Sequence, residues 1–102
     1  MANNRVCVII NLYCTAGKED EFQAFLINAM QETKQYKGNL SVEVRQSATE
    51  PSFFRIMSEW ASEEERLIYM AWRQESGFID QLASFLTTEP EFIVKEMELV
   101  FN

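Results

Sequence analysis

The chain contains no histidine, the side chain that most often serves as a general base near neutral pH. A Ser-His-Asp triad is therefore excluded. Cysteine is scarce as well: Cys7 and Cys14 lie seven residues apart, in or at the end of one apolar segment. An odd separation puts them on opposite faces of an extended strand, where they cannot bridge each other. Two packed thiols in a reducing compartment are expected, and no all-protein zinc site. Three glycines and two prolines leave no glycine-rich phosphate loop and no flexible low-complexity linker. No fully apolar run, residues 6–10 included, comes near the length needed to span a bilayer. Met1-Ala-Asn-Asn-Arg5 has no charged stretch leading into an apolar core of signal-peptide length, so a cytoplasmic protein is expected by elimination. Basic residues number nine against sixteen acidic ones, a net charge of −7. Such a chain gains nothing from counterion release on nucleic acid and is repelled by anionic lipid, so neither nucleic acid nor membrane is an expected partner. Small molecules, or copies of itself, are.

What is present is an ordinary globular composition, 47% hydrophobic and 25% charged, in 102 residues. That length makes residues 1–102 one domain with one modest core. Residues 5–13 are β-rich and nearly continuously apolar, as in a central strand covered on both faces. Thr15-Ala-Gly-Lys18 breaks the pattern. A helix over residues 19–36 follows, with Phe22, Phe25, Leu26, Ala29, Thr33 and Tyr36 at steps of three and four. Glu19, Asp20 and Glu21 complement its dipole, and Lys37-Gly38 stops it. Residues 39–46 alternate, with Leu40, Val42 and Val44 on one face. A third strand spans residues 52–61. Ser62-Glu-Glu-Glu65 is a capping box that opens a helix to about Gln74, with Leu67, Met70 and Ala71 inward. Ser76-Gly77 interrupts that helix, Phe78, Leu82, Phe85 and Leu86 continue a second piece, and a last strand covers residues 91–101.

The order β-α-β-β-α-β predicts an α+β, ferredoxin-like antiparallel sheet with helices on one face only. The helix-side face takes Phe54, Ile56, Ser58 and Trp60 from strand three. The other face carries Ile9, Asn11 and Tyr13 from strand one, and Phe53, Arg55, Met57 and Glu59 from strand three. Strand four adds either Glu96 and Glu98 or Lys95 and Met97 to it. Exposed aromatics beside charges of both signs suit a buried contact better than water, so a homodimer packed sheet to sheet is expected.

Three segments carry a family likeness: Gly17-Lys-Glu-Asp-Glu-Phe22, Gly38-Asn-Leu-Ser-Val-Glu-Val44 and Glu59-Trp60-x-Ser-Glu-Glu64. Over residues 6–101 the chain resembles the antibiotic biosynthesis monooxygenase (ABM) domain of the dimeric α/β barrel superfamily. The resemblance implies two subunits closing their sheets into a homodimeric α/β barrel, with a ligand cavity between helices and sheet. It also implies one of that family's activities. These include oxygenation of quinols and polycyclic phenols without a cofactor, and haem degradation. The strand-three tryptophan that lines the family's cavity is matched by Trp60. Two haem-linked positions are not matched. The axial histidine is missing, and Ile10 takes the place of a strand-one asparagine, with Asn11 one residue later and on the opposite face. Tyr69 is the nearest polar substitute on the following helix.

Trp60 and Tyr69, with Leu12 and Phe25, are thus the candidate substrate-binding residues. No catalytic residue is singled out, and no metal or cofactor is expected. Each of the four also has a plain structural role available, Trp60 as a core aromatic and Tyr69 packing at the helix surface. Two functions fit: a cofactor-free monooxygenase of a quinol or polycyclic phenol, or a non-catalytic dimeric small-molecule-binding or accessory domain. In the first, a dipole such as the Trp60 indole holds the charge of an ionised substrate, and no strong base is needed.

Overall fold

The structure is a computed structural model that describes residues 4–102. Met1, Ala2 and Asn3, part of the segment without signal-peptide character, lie outside these residues. The elements are β1 (Arg5–Tyr13), α1 (Glu19–Gln35), β2 (Asn39–Gln46), β3 (Phe53–Trp60), α2 (Glu63–Glu75), α3 (Phe78–Ala83) and β4 (Glu91–Met97). The strands form one antiparallel sheet in the order β2-β3-β1-β4. This is the α+β ferredoxin-like arrangement. Among the described residues no helix is long and apolar enough to cross a membrane.

Register assigns the two faces. Val6, Val8, Ile10 and Leu12 stand opposite Trp60, Ser58, Ile56 and Phe54, and all turn to the helix side. Ile9, Asn11 and Tyr13 stand opposite Met57, Arg55 and Phe53 on the other face. β4 pairs Cys7 with Lys95 and Arg5 with Met97, which places Lys95 and Met97, not Glu96, on the outer face. The last strand ends at Met97, short of the expected Phe101. Its pairing with β1 runs from Glu91 to Met97, and among the described residues Leu99, Val100 and Phe101 beyond it are exposed. Leu40 also departs from the alternation: a register shift between Asn39 and Ser41 turns it out to 46% exposure, while Val42 and Val44 pack against the core.

The helix-side core has two parts. The larger gathers Leu12, Phe22, Leu26, Phe54 and Leu82, with Phe22 and Phe54 in edge contact at 5.0 Å. The smaller gathers Val6, Val8, Trp60 and Tyr69. The second helical piece ends at Ala83, earlier than Phe85 and Leu86 suggest. Those two residues instead bind the turn to the end of β1, with Thr15 N donating to Phe85 O (2.8 Å) and Cys14 bridged to Leu86. Burial, with the Glu19 carboxylate adding to it, pushes the Cys14 thiol up, as suits a packed group.

The cap of α2 forms in altered form. Ser62 Oγ accepts from the Glu65 amide at 3.2 Å, while the Glu65 carboxylate accepts from the Ser62 hydroxyl in place of its backbone N–H. Glu65 also lies over Gly38, where φ is +91° and an added Cβ would meet the Glu65 Cβ at 2.6 Å. Gly17 has the same φ of +91° but open space around it. Gly38→Ala should therefore cost about 2–4 kcal/mol, conformational strain plus overpacking, and Gly17→Ala only about 1–2 kcal/mol from strain alone. Urea unfolding of the two variants measures the difference; equal losses would show that the start of α2 shifts away from Gly38 at no cost.

Candidate functional site

Trp60 ends β3 and is 2% exposed, facing the helix layer. Its indole N–H is spent: Nε1 donates to Ser58 Oγ at 3.2 Å. The indole of Trp60 is therefore not the free dipole expected from the sequence. The Tyr69 ring packs on it at 4.7 Å between centroids. Tyr69 is 6% exposed, so it does not sit at the helix surface.

The face that α2 turns inward differs from the apolar stripe. Leu67 is 53% exposed and Ala71 is exposed, while Arg66, Tyr69, Met70 and Arg73 border the interior. Those four fall at i, i+3, i+4 and i+7, as regular a helical face as the apolar one. What turns it inward is Arg73, one turn beyond Tyr69 and 4% exposed at its side chain. Its Nε donates to Tyr69 Oη at 2.8 Å. Its Nη2 donates to Ala29 O (2.6 Å) and Thr33 Oγ1 (3.1 Å), and Nη1 to Glu32 Oε1 (3.3 Å). The Phe78 and Trp72 rings flank the guanidinium at 4.3 and 4.5 Å. Thr33 Oγ1 lies 3.4 Å from Ala29 O, and with its proton turned there Tyr69 donates to Thr33. A chain of hydrogen bonds thus runs from Arg73 through Tyr69 to Thr33.

Between these groups and the sheet lies a small cavity of about 50 Å³. Val8, Ile10 and Ile56 wall it beside Trp60 on the sheet side, and Met30 and Tyr69 on the helix side. Arg66, Arg73, Thr33 and Ser58 border a wall that is otherwise mainly apolar. The structure thus brings Trp60 and Tyr69 together and leaves the other two candidates out. Leu12 is fully buried in the larger core part. Phe25 borders a separate depression with Asn28, Glu32 and Gln81, stacked on Phe78 at 5.4 Å. Asn11 stays on the far face, accepting from Arg55 Nε at 2.8 Å and donating to Glu91, because β1 runs without a bulge against β3. Ile10 takes the cavity position. Arg73 is the residue that sequence reasoning missed; its spacing from Tyr69 and its place between Trp72 and Phe78 were the available signals. Among the described residues, no three acidic, cysteine or histidine side chains converge as a metal site would require.

A sequence profile of the antibiotic biosynthesis monooxygenase family matches residues 5–80, and the chain belongs to that family. Among solved structures, a candidate antibiotic biosynthesis monooxygenase from Deinococcus radiodurans is similar at 22% identity and TM-score 0.85, over 95% of this chain and 96% of that one. A conserved protein from Methanosarcina mazei Go1 superposes with TM-score 0.82 at 18% identity, over 91% and 92% of the two chains. A candidate antibiotic biosynthesis monooxygenase from Nitrosomonas europaea gives 0.78 at 14% identity, over 95% and 92%. At these identities the likeness is one of fold. No curated protein matches the chain.

Proposed function

We propose that the chain is a cofactor-independent monooxygenase that oxidises a quinol or polycyclic phenol with molecular oxygen, the substrate binding behind Trp60. The observation that carries this reading is the buried Arg73 beside an apolar cavity. Its one carboxylate partner, Glu32, is 57% exposed, so water screens the pair on the Glu32 side and not on the cavity side. A unit charge about 6 Å from a bound phenol, at an effective dielectric near 20, favours the phenolate by roughly 3 kcal/mol, about two pK units. A substrate ionised in this way is itself the reductant. It passes one electron to oxygen, and the radical pair closes a carbon–oxygen bond to give a peroxide anion. The peroxide anion takes up the proton released on ionisation; loss of the ring proton then breaks the O–O bond and expels hydroxide, which combines with that ring proton as water. The balance is R₂CH₂ + O₂ → R₂C=O + H₂O. Charge stabilisation falls to the buried Arg73 guanidinium, which the Tyr69 hydroxyl helps to hold in place, since the Trp60 N–H is engaged with Ser58 and the Tyr69 O–H with Thr33. Oxygen uptake by metal-stripped protein with a panel of quinols and anthrones tests this. Wild type should exceed the blank, and Arg73→Met and Tyr69→Phe, each verified as folded, should lose at least about tenfold of the excess, or 1.4 kcal/mol. Rates equal to the blank for every substrate would favour the non-catalytic binding domain instead.

We also infer a homodimer closed through the outer sheet face. Ile9, Met57 and Ile93 form an apolar row across three strands, flanked by Tyr13 and Phe53 on one side and by Met97 toward the other end. Ile93, Tyr13 and Met97 are 38%, 41% and 50% exposed in the single chain. The charged groups around the row include both signs, Arg45 and Arg55 with Glu43 and Glu59, so a twofold contact has ion pairs available. Light scattering over a range of concentrations should give twice the chain mass; a stable monomer at micromolar concentration would refute the dimer.

A further inference from the structure

The cavity behind Trp60, about 50 Å³, is several times smaller than the roughly 300 Å³ that a site for a drug-sized ligand takes up. Beside it, between α2, α3 and the start of β4, lies an open groove of about 530 Å³, large enough but unable to exclude water by itself. Met70, Ile79, Leu82 and Phe92 border both spaces, so these four side chains are the partition. They are not equally fixed. Leu82 is 6% exposed and belongs to the core, whereas Ile79 and Phe92 are 36% and 44% exposed and Met70 is a flexible thioether. Ile79 follows Gly77, whose φ of +81° marks the joint between α2 and α3. The far end of α3 is tied to β1 through Phe85 and Thr87, which leaves the side chains, not the helix, to move.

We propose that Ile79 and Phe92 gate the cavity, and that the ligand, a fused aromatic of two or three rings, occupies cavity and groove together. Its ionised ring lies behind Trp60 and its distal ring lies in the groove against Leu67 and Ala71. This rests on the cavity being the substrate site, and it adds the route in and the residues that select for ring number. The joined spaces supply both the volume that the cavity lacks and the dry inner end that the groove lacks.

Calorimetry and stopped-flow binding of phenol and of 2-hydroxyanthracene separate the possibilities. Wild type should bind the three-ring probe at least tenfold more tightly than phenol. Ala71→Phe fills the groove from an exposed helix position without touching the cavity; it should cost the three-ring probe at least tenfold in affinity and leave phenol within twofold. Ala83→Leu, on the other side of the groove, should act in the same direction if Ala71→Phe does not fold. Phe92→Ala should speed association of the three-ring probe at least threefold. Unchanged three-ring affinity in the filled-groove variants overturns the proposal while leaving the cavity as a site for phenol. An unchanged association rate removes Phe92 as the gate. Failure of both probes to bind wild type overturns the cavity as substrate site together with the gate.

Discussion

The interior of this domain depends on how one guanidinium is satisfied. Burying an arginine costs several kcal/mol unless its donors are met, and Arg73 meets them with the Tyr69 hydroxyl, the Thr33 hydroxyl, the Ala29 carbonyl and Glu32. Three of those partners lie on α1, so the network fixes the distance and rotation between α1 and α2. That rotation turns Tyr69 onto Trp60 and turns Leu67 out to solvent. The cavity exists because a polar strut, not a row of leucines, spaces the helices behind Trp60. Truncating the arginine would leave Tyr69 with one partner and let the helices close on the void.

The sheet carries the second constraint. Its period of two sends one set of residues to the cavity and the next to the opposite face, with no freedom to exchange them. Ile10 therefore walls the cavity, while Asn11, one residue on, is locked between Arg55 and Glu91 on the far side. The aromatic chemistry of the site thus comes from the end of β3 and from α2.

Much of this was legible in the sequence because strands and helix starts announce themselves locally. The alternation of residues 53–60, the Ser62 cap and the breaks at Gly17, Gly38 and Gly77 gave the element order and the inner face of β3 without tertiary information. The inward face of α2 was not legible, since two helical stripes compete there and hydrophobicity alone favours the one carrying Leu67 and Ala71. Choosing the other needs the acceptors on α1, which are distant in sequence. Trp60 and Tyr69 were named as neighbours of a cavity through the family likeness, whereas Leu12 and Phe25 are carried away from it by packing that no local pattern encodes. The end of β4 was not legible either: Leu99, Val100 and Phe101 have strand composition, but the strand and its described pairing with β1 end at Met97.

The central claim is that the buried Arg73 charge makes the cavity a site for an anionic ring. Titrating 4-nitro-1-naphthol, whose ionised form is coloured, in the presence of saturating protein measures this without turnover. A bound pKa about one to two units below that of the free naphthol is predicted, with the shift lost in Arg73→Met. A bound pKa equal to or above the free value would contradict the account, because it would mean that desolvation in the apolar cavity outweighs the arginine.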